Sequence, residues 1–404
     1  MNQDNSKKTR IVVVGAGYAG LLATIRLAGK VDEGAAEITL VNDSEQFVER
    51  IRLHQTVSVQ QPRRLQIRDL LRGKSVRFVE GHATVIDRGE RVLHVNNQDG
   101  TLHIGYDYLL YALGSGSQNT SIPGLAKYAY SIGRPAESAS LEEELAESPA
   151  GAKIVVIGGG LTGIETSTEI AERYPQLKVS LWTEGKLGPK LSGRGRDYIE
   201  GTLSNFGIEI HQDQRVSAVQ RGNIVVNDGQ EISYDTCIWA GSFAVPSLAR
   251  EAGLSVNNLG QALVDPFLRS VSDSRIYVAG DSAGFVDDPG ARIRMACATA
   301  LPMGAQAADN LAAVIADQPQ KPFSFAYVLQ CISLGRRKGL VQLVYLNDEP
   351  KERIITGRMA AFIKEFICRA TVLTLKLERL IPGAYSWRGR GKAGTAEASV
   401  IPQM

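Results

Sequence analysis

One segment pattern occurs twice in the chain, and it restricts the possible folds more than any other feature. Residues 10–42 run as a β-branched strand, the turn GAGYAG, an apolar helix and a second strand, EITLVN. Residues 152–184 repeat this order as AKIVVIGGG, LTGIETSTEIAERY and LKVSLWTE. Continuous Val/Ile strands joined by a glycine turn and a helix are typical of βαβ units in a parallel sheet. Two such units predict two nucleotide-binding domains in one chain.

Three glycines of the first unit are spaced as in phosphate-binding turns. Gly15 permits a tight turn, Gly17 lets a pyrophosphate approach the backbone, and Gly20 lets the helix pack closely. The helix N-terminus then offers free N–H groups to the phosphates. The second strand ends in Asn42 and Asp43, where an acid normally binds the ribose. Either residue could do so, and a purely structural glycine turn is the alternative for the motif.

The second unit carries a longer motif. Gly158, Gly160 and Gly163 repeat the glycine spacing, with Thr162 in the turn and Glu165 on the helix that follows. From the first helical turn, the Glu165 carboxylate could reach a nicotinamide ribose or ring amide. The alternative is a capping carboxylate that only stabilises the positive end of the helix dipole.

The end of the next strand bears on the choice of nicotinamide nucleotide. Thr183 occupies the ribose-binding position and Glu184 follows it. An acid at this place favours NADH, but Lys186 could accommodate a 2′-phosphate. Both NADH and NADPH therefore remain open.

A late apolar strand delivers a Gly-Asp pair, Gly280 and Asp281, at its end. Asp281 could accept a hydrogen bond from a ribityl hydroxyl or lie near flavin phosphates. A plain strand-to-turn aspartate is the alternative. Two further segments stand in between: YLLYALGS contains Ala112 and Gly114, and YDTCIWAG ends in Gly241.

These motifs, in this order, resemble the flavin-dependent pyridine nucleotide–disulfide oxidoreductase superfamily over about residues 10–315. The resemblance implies FAD bound by the first unit and NADH or NADPH used by the second. It places Ala112, Gly114, Gly280 and Asp281 in the FAD site and Gly241 in the NAD(P) site.

The fold class that follows is α/β, with two Rossmann-like dinucleotide-binding domains and a C-terminal α+β domain. The FAD domain is expected to be discontinuous. The expected ranges are 8–118 and 242–318 for the FAD domain, 119–241 for the NAD(P) domain, 319–390 for the C-terminal domain and 391–404 for a disordered tail.

The branch of the superfamily is indicated by a missing motif. Residues 42–60 contain no cysteine, so the CxxxxC pair of the disulfide reductases is absent and electrons must leave the flavin directly. Residues 295–311 resemble the segment of type II NADH dehydrogenases and apoptosis-inducing-factor-like oxidoreductases that passes beneath the flavin ring. We expect Leu301, Pro302 and Met303 to form the turn that touches the ring.

The segment FVERIRLHQ stands where the catalytic cysteines would be. By the resemblance it borders the flavin, so Arg50 or Arg52 could polarise the flavin or hold an anionic or quinone-like acceptor, and His54 could deliver a proton. With Glu165, we take Arg50 and His54 as the catalytic candidates. The alternative is a surface helix with solvated arginines.

A C-terminal helix is predicted near residues 357–381. Met359, Phe362, Ile363, Phe366 and Ile367 make one apolar face at helical spacing. Residues 321–404 carry 14 Lys or Arg against 6 Asp or Glu. Basic amphipathic helices bind membrane surfaces, whereas the same pattern also serves packing on the chain's own core or in a homodimer. We slightly favour core or dimer packing.

The sequence thus predicts an FAD-dependent NAD(P)H oxidoreductase whose acceptor, by the resemblance, is a quinone. The alternatives are a soluble biosynthetic flavoenzyme acting on a specialised metabolite, a ferredoxin or rubredoxin reductase, and a redox sensor. The net charge of +2 gives no argument for nucleic acid, and four dispersed cysteines have no metal-ligand spacing. Without an apolar signal or span, we expect a cytoplasmic protein with possible peripheral membrane contact.

Overall fold

A computed structural model describes residues 8–58, 65–117, 122–132, 135–241, 243–286 and 293–389. The expected disordered tail, residues 391–404, lies outside these ranges. The helices are α1 (Tyr18–Lys30), α2 (Ile67–Leu70), α3 (Leu125–Tyr128), α4 (Pro135–Glu147), α5 (Leu161–Arg173), α6 (Gly193–Asn205), α7 (Leu248–Glu251), α8 (Cys297–Ile315) and α9 (Gly357–Leu380). Two 3-10 helices span Arg50–Val57 and Gly280–Ser282.

The strands fall along the whole described chain. The first half contains β1 (Thr9–Val14), β2 (Ala36–Asn42), β3 (Gln46–Phe47), β4 (Leu65–Gln66), β5 (Val76–Glu80), β6 (His82–Asp87), β7 (Val92–Asn97), β8 (Gly100–Gly105), β9 (Tyr108–Tyr111), β10 (Gly116–Ser117), β11 (Tyr130–Ser131), β12 (Lys153–Ile157) and β13 (Lys178–Trp182). The second half contains β14 (Glu209–His211), β15 (Val216–Gln220), β16 (Asn223–Val226), β17 (Glu231–Ser233), β18 (Thr236–Trp239), β19 (Phe243–Ala244), β20 (Ala262–Val264), β21 (Arg269–Ser270), β22 (Asp273–Val278), β23 (Ala283–Phe285), β24 (Leu329–Leu334), β25 (Lys338–Val344) and β26 (Pro350–Thr356).

The first predicted unit lies at the centre of an eight-stranded sheet of order β23-β20-β21-β22-β9-β1-β2-β5. β1 pairs in parallel with both β2 and β9. Its residues Ile11 to Val14 are at most 1% exposed and belong to a hydrophobic core that also contains residues of α1 and α8. The sheet also takes strands from residues 262–285, beyond the second unit in sequence, as expected for a discontinuous FAD domain.

The second unit builds a five-stranded, all-parallel sheet of order β11-β18-β12-β13-β14. Each unit also carries a three-stranded antiparallel meander, β6-β7-β8 in the first and β15-β16-β17 in the second. The predicted α/β class with two Rossmann-like domains is therefore confirmed. The residue boundaries of the domains stay a prediction.

After α8 the chain forms an antiparallel sheet, β24-β25-β26, and the 24-residue helix α9 packs on it. β24 also contacts α5 of the second unit, so this C-terminal region reaches the nucleotide-binding helices. In the part of the chain described here, no helix combines the length and the apolarity needed to cross a bilayer.

Candidate active site

A cavity of about 1140 Å³ opens at the carboxyl ends of the parallel strands and is lined by both glycine turns. In open α/β sheets, ligands bind at this edge, outside the carboxyl ends of the strands. Most of the predicted site residues line it, namely Gly15, Gly17, Asn42, Asp43, Arg50, Ala112, Gly114, Gly158, Gly160, Thr162, Glu165, Thr183, Glu184, Gly241, Gly280 and Asp281. The other predicted residues do not line the cavity, namely Gly20, His54, Gly163, Leu301, Pro302 and Met303.

The first turn has the geometry of a phosphate cradle. Gly15 has a φ of +98°, and a Cβ there would lie 2.4 Å from the Ala112 carbonyl oxygen. At Gly20, which lies behind the cavity wall, a Cβ would lie 1.8 Å from the Gly15 carbonyl oxygen. At Gly17, by contrast, no described atom lies within 4 Å of the Cβ position. Two glycines are thus required by the backbone, and Gly17 leaves space at the N-terminus of α1 that fits a pyrophosphate.

The second turn repeats this geometry. Gly158 has a φ of +127°, and its Cβ would lie 2.8 Å from the Ala240 carbonyl. A Cβ at Gly163 would lie 1.8 Å from the Gly158 carbonyl oxygen. Gly160, at the N-terminus of α5, again faces open space among the described residues. The chain therefore holds two phosphate cradles on one cavity.

The ends of β2 and β13 differ in how their polar side chains are used. The Asn42 Oδ1 accepts a hydrogen bond from the Ala16 N–H at 2.8 Å, so this amide braces the first turn, and Asp43 lies exposed on the cavity rim. In the second unit Thr183 packs beneath the turn, while Glu184 lies on the rim with its carboxylate 3.9 Å from the Arg215 guanidinium. The ribose-binding group of each unit stays a prediction.

Arg50 and Asp281 place opposite charges on the first half of the cavity. Asp281 accepts a hydrogen bond from the Ser115 hydroxyl at 2.6 Å. Burial raises the pKa of Asp281, and the Ser115 hydrogen bond and the Arg50 charge oppose that rise. The Arg50 Nη2 is buried without a hydrogen-bond partner among the described residues. A buried, unsatisfied guanidinium at a cavity fits an anionic ligand group. The solvated surface helix considered for Arg50 is wrong.

Glu165 lies in a buried ionic cluster. Its carboxylate is 3.1 Å from the Lys364 ammonium and 3.3 Å from the His54 Nδ1, and it accepts the Ser333 N–H at 2.9 Å. Glu165 falls in the second turn of α5, not the first, so the helix-capping interpretation is wrong. Lys364 was not among the predicted site residues; one lysine inside an apolar stretch was its only signal.

The charges of this cluster follow from burial and pairing. Burial lowers the pKa of His54 to about 4, so His54 is neutral at pH 7. Burial alone would raise the pKa of Glu165, but the charge that His54 gains in acid, the Lys364 ammonium and the Ser333 N–H outweigh it, and the pKa is lowered. Burial would likewise lower the pKa of Lys364, and the adjacent Glu165 carboxylate raises it instead. Lys364 and Glu165 therefore form a charged pair in the cavity wall.

The expected turn at Leu301, Pro302 and Met303 is wrong. All three residues lie inside α8, where they are buried, and Leu301 and Met303 belong to the core of the first unit. Their side chains are held there because α8 packs directly on α1. The cavity is reached instead by residues 294–298 and Ala300, at the start of α8. The N-terminus of α8 therefore faces the cavity.

Comparisons with known proteins identify the family. The model of the pyridine nucleotide-disulphide oxidoreductase family matches residues 9–309. An NADH dehydrogenase-like protein of Mycobacterium tuberculosis is 28% identical over 381 residues, covering 89% of this chain and 93% of that protein. A type II NADH:quinone oxidoreductase of Staphylococcus haemolyticus is 28% identical over 397 residues, covering 91% and 95%.

Solved structures agree on the fold. The sulfide:quinone oxidoreductase of Aquifex aeolicus has a TM-score of 0.78 at 18% identity and covers 93% of each chain. The NDH2 of Plasmodium falciparum, solved with NADH, has a TM-score of 0.76 at 14% identity and covers 94% of this chain and 99% of that one. The expected cofactor FAD and co-substrate NADH or NADPH are those of the family. The chain is thus a member of the pyridine nucleotide-disulphide oxidoreductase family and an FAD-dependent NAD(P)H oxidoreductase.

Proposed function

We propose that this oxidoreductase passes electrons from NAD(P)H to a quinone. The observation that carries the proposal is the single cavity, which joins both phosphate cradles to a wall formed by the C-terminal region through Leu329, Cys331, Lys364 and Ile367. When a nucleotide occupies each cradle, the wall formed by the C-terminal region remains free for a second substrate. The curated relatives include type II NADH:quinone oxidoreductases, and residues 42–60 hold no cysteine pair that could relay electrons instead.

In this proposal the first cradle holds FAD, and FAD supplies hydride acceptance from the nicotinamide. Gly15, Gly17 and Gly20 shape that cradle, with Asn42 or Asp43 at the ribose, and Ala112, Gly114, Gly280 and Asp281 complete the wall. Arg50 offers its unpaired N–H groups to the phosphates or to the ring edge. The start of α8 turns its positive end toward the same space, which stabilises negative charge there.

The second cradle would bind the visiting NAD(P)H. Gly158, Gly160, Thr162, Gly163 and Gly241 shape it, with Thr183 and Glu184 at the adenosine ribose. The buried Glu165–Lys364 pair lies in the wall that this cradle shares with the C-terminal region. The alignment of two substrates within contact distance is the main contribution that such a site makes.

Lys364 is the side chain best placed to bind a quinone oxygen. An ammonium has three N–H donors. Two of them point to Glu165 and to the Cys331 carbonyl oxygen at 3.3 Å. The third is available at the cavity wall, where it can donate to a carbonyl oxygen and stabilise the charge that reduction places there.

The outer surface of α9 supports a lipid-borne acceptor. Its apolar residues are exposed in one stripe, namely Met359, Phe362, Phe366, Leu373, Leu377, Leu380 and Ile381. The buried face of α9 instead carries Ala360, Lys364, Cys368, Thr371, Leu375 and Glu378, so packing of this stripe on the chain's own core is wrong, and packing in a homodimer stays a prediction. Basic residues flank the stripe at Arg358, Arg369 and Lys376. We propose that the stripe lies on an anionic membrane surface, since the same helix also lines the cavity.

Anaerobic rapid mixing tests the acceptor. The yellow protein should be bleached by NADH and recolour rapidly with menadione but slowly with air. Bleaching that persists with menadione and is reversed only by an oxidised iron–sulfur protein would favour the reductase alternative and contradict a quinone acceptor. A long-lived charge-transfer band with poor turnover would indicate a redox sensor.

Vesicle sedimentation tests the stripe. The double variant Phe362→Ser, Phe366→Ser should lose binding to anionic phosphatidylglycerol vesicles. Binding of the wild type to the same vesicles should be weakened by salt. The matched control is Leu259→Ser, because Leu259 is 57% exposed on another surface. If the wild type is a dimer, the double variant is a monomer and neither binds vesicles, membrane binding by the stripe would be contradicted and a homodimer interface favoured.

A further inference from the structure

Three glutamates of α5 lie on one face of the helix. Glu165, Glu169 and Glu172 follow one another at the i, i+4 and i+7 spacing that aligns side chains along a helix. Glu165 lines the cavity, Glu169 is only 2% exposed, and Glu172 is half-buried toward the surface. The file of carboxylates therefore leads from the cavity to the outside of the protein.

The 3-10 helix Arg50–Val57 and its end run alongside this file. His54 faces Glu165, as described above, and one turn further on the Ser58 hydroxyl donates to the Glu169 Oε1. The turn between β24 and β25 closes the other side. There the Arg336 guanidinium lies 2.6 Å from the Glu169 carboxylate and donates to the Ser58 hydroxyl at 3.0 Å. We call these five residues the polar file: Glu165, His54, Ser58, Glu169 and Arg336.

The inner and outer ends of the polar file differ in exposure. The Arg336 side chain is 43% exposed, so the outer end meets solvent. Inside, the His54 Nε2 and the Glu169 Oε2 are buried without a hydrogen-bond partner among the described residues. Buried polar atoms of this kind are usually satisfied by water. Glu165 and Glu169 are one helical turn apart, with about 5–6 Å between their Cβ atoms.

The reduction of a quinone needs a proton from solvent. Hydride transfer from NADH carries two electrons and one proton, and a quinol contains two electrons and two protons more than the quinone. The balanced reaction is NADH + H⁺ + quinone → NAD⁺ + quinol, so one proton per turnover must enter the buried cavity. An acceptor that takes electrons alone has no such requirement.

We propose that the polar file conducts this proton from the surface to the cavity, with Glu169 as its buried carrier. The proposal rests on the quinone function proposed above. A proton taken up at the Arg336 end is held on the Glu169 Oε2. It then passes by way of His54 to Glu165 and leaves at the Glu165–Lys364 pair in the cavity wall. Glu169 does not touch the substrate and acts through Glu165.

The surroundings of Glu169 suit a proton carrier. Burial raises the pKa of its carboxyl group, although the Ser58 hydrogen bond and the Arg336 charge oppose the rise, and the nearby Glu172 carboxylate adds to it. Glu165 is different, since Lys364 keeps it ionised. The outer carboxyl therefore holds a proton more readily than the inner one, and the Lys364 charge controls release at the cavity.

The test compares two acceptors in the flavin-loaded protein. Glu169→Gln keeps the shape of the side chain and removes its ability to carry a proton. Turnover with menadione should slow at least about tenfold, within what positioned proton transfer contributes, whereas turnover with ferricyanide should change less than about twofold. Formate or imidazole should restore part of the menadione rate. Glu144→Gln is the matched control, because Glu144 is a half-buried carboxylate outside the file that accepts hydrogen bonds from Tyr130 and Thr236.

Infrared titration gives a readout that does not depend on activity. The wild type and Glu144→Gln should show protonated carboxyl absorption that persists above the pH at which ordinary glutamates ionise, and Glu169→Gln should lose part of it, with the contribution of Asp281 left in place. If Glu169→Gln loses its flavin or its fold, Ser58→Ala provides the second variant with the same expected acceptor split. Equal slowing with both acceptors, or slowing with neither, would overturn the relay. Failure of the wild type to reduce menadione would instead overturn the quinone function.

Discussion

The two phosphate cradles are nearly identical in backbone, and they differ in everything around them. In both, the first and third glycines are required by backbone atoms closer than 3 Å, and the middle glycine faces open space. Around the first cradle lie a braced Asn42, the Asp281–Ser115 pair and the buried Arg50. Around the second lies the exposed Glu184, with a loose contact to Arg215. The glycines provide the phosphate site that both cradles share, so any difference in what each cradle binds has to come from the surroundings.

The largest effect is expected from a substitution that blocks one cradle and leaves the other intact. A valine in place of Gly17 fills the space that the pyrophosphate needs without touching the protein, so the fold should survive while FAD retention is lost. The same change at Gly160 should leave the protein yellow and raise the KM for NADH steeply, by at least about tenfold. Visible spectra and steady-state kinetics of the two purified variants measure both effects.

Gly20→Ala and Gly163→Ala provide the contrast with these variants. Their Cβ atoms would lie 1.8 Å from backbone oxygens, so both should unfold more easily, whichever nucleotide is present. A Gly17→Val protein of normal yellow colour would refute the FAD assignment of the first cradle. Unchanged kinetics in Gly160→Val would refute the second assignment.

The sequence predicted the cradles because local chemistry dictates them. A strand, a glycine turn and a helix form from neighbouring residues, and the three glycine roles follow from backbone geometry alone. The same is true of the predicted C-terminal helix, which forms α9. The order of motifs then supplied the two-domain fold and the cofactors.

The sequence failed where side chains from distant segments meet. Lys364 contacts Glu165 across about half of the chain, and no local pattern predicts such a pairing. The amphipathic pattern of α9 showed an apolar face but not its direction, and the structure turns that face outward. Leu301 to Met303 were expected at the flavin, yet core packing against α1 holds them inside α8.

The buried ionic cluster behind the second cradle contains a histidine, His54, and its pH dependence sharpens the comparison. His54 is 2% exposed, and burial lowers its pKa to about 4. Between about pH 6.5 and pH 4 the unfolded chain binds a proton at this residue and the folded chain does not, so stability falls as the pH falls. Over that window the free energy of unfolding falls by about 3 kcal/mol because of His54.

Urea unfolding of His54→Gln between pH 4 and pH 7 isolates this contribution. The variant should lack the extra loss that the wild type shows over the window, whereas His82→Gln, at an exposed position, should follow the wild type. A wild type that retains its stability relative to His54→Gln as the pH falls would mean that His54 is protonated beside Glu165, and the neutral assignment would be wrong.

The smallest expected effect is at the rim of the second cradle. Glu184 is exposed, and its contact with Arg215 is long, so solvent weakens both the carboxylate's attraction for a ribose hydroxyl and its repulsion of a 2′-phosphate. Lys186 is already paired with Asp213 at 2.6 Å, which leaves Arg215 as the nearer cation for a phosphate. Glu184→Ala should therefore lower the preference for NADH over NADPH by up to about tenfold in kcat/KM, equivalent to about 1.4 kcal/mol. Adding Arg215→Gln should remove the gain for NADPH without restoring the use of NADH, because the carboxylate and the cation act on different atoms of the nucleotide. If neither substitution changes the preference between NADH and NADPH, other residues must recognise the adenosine ribose. The second cradle would then resemble the first in its glycines alone.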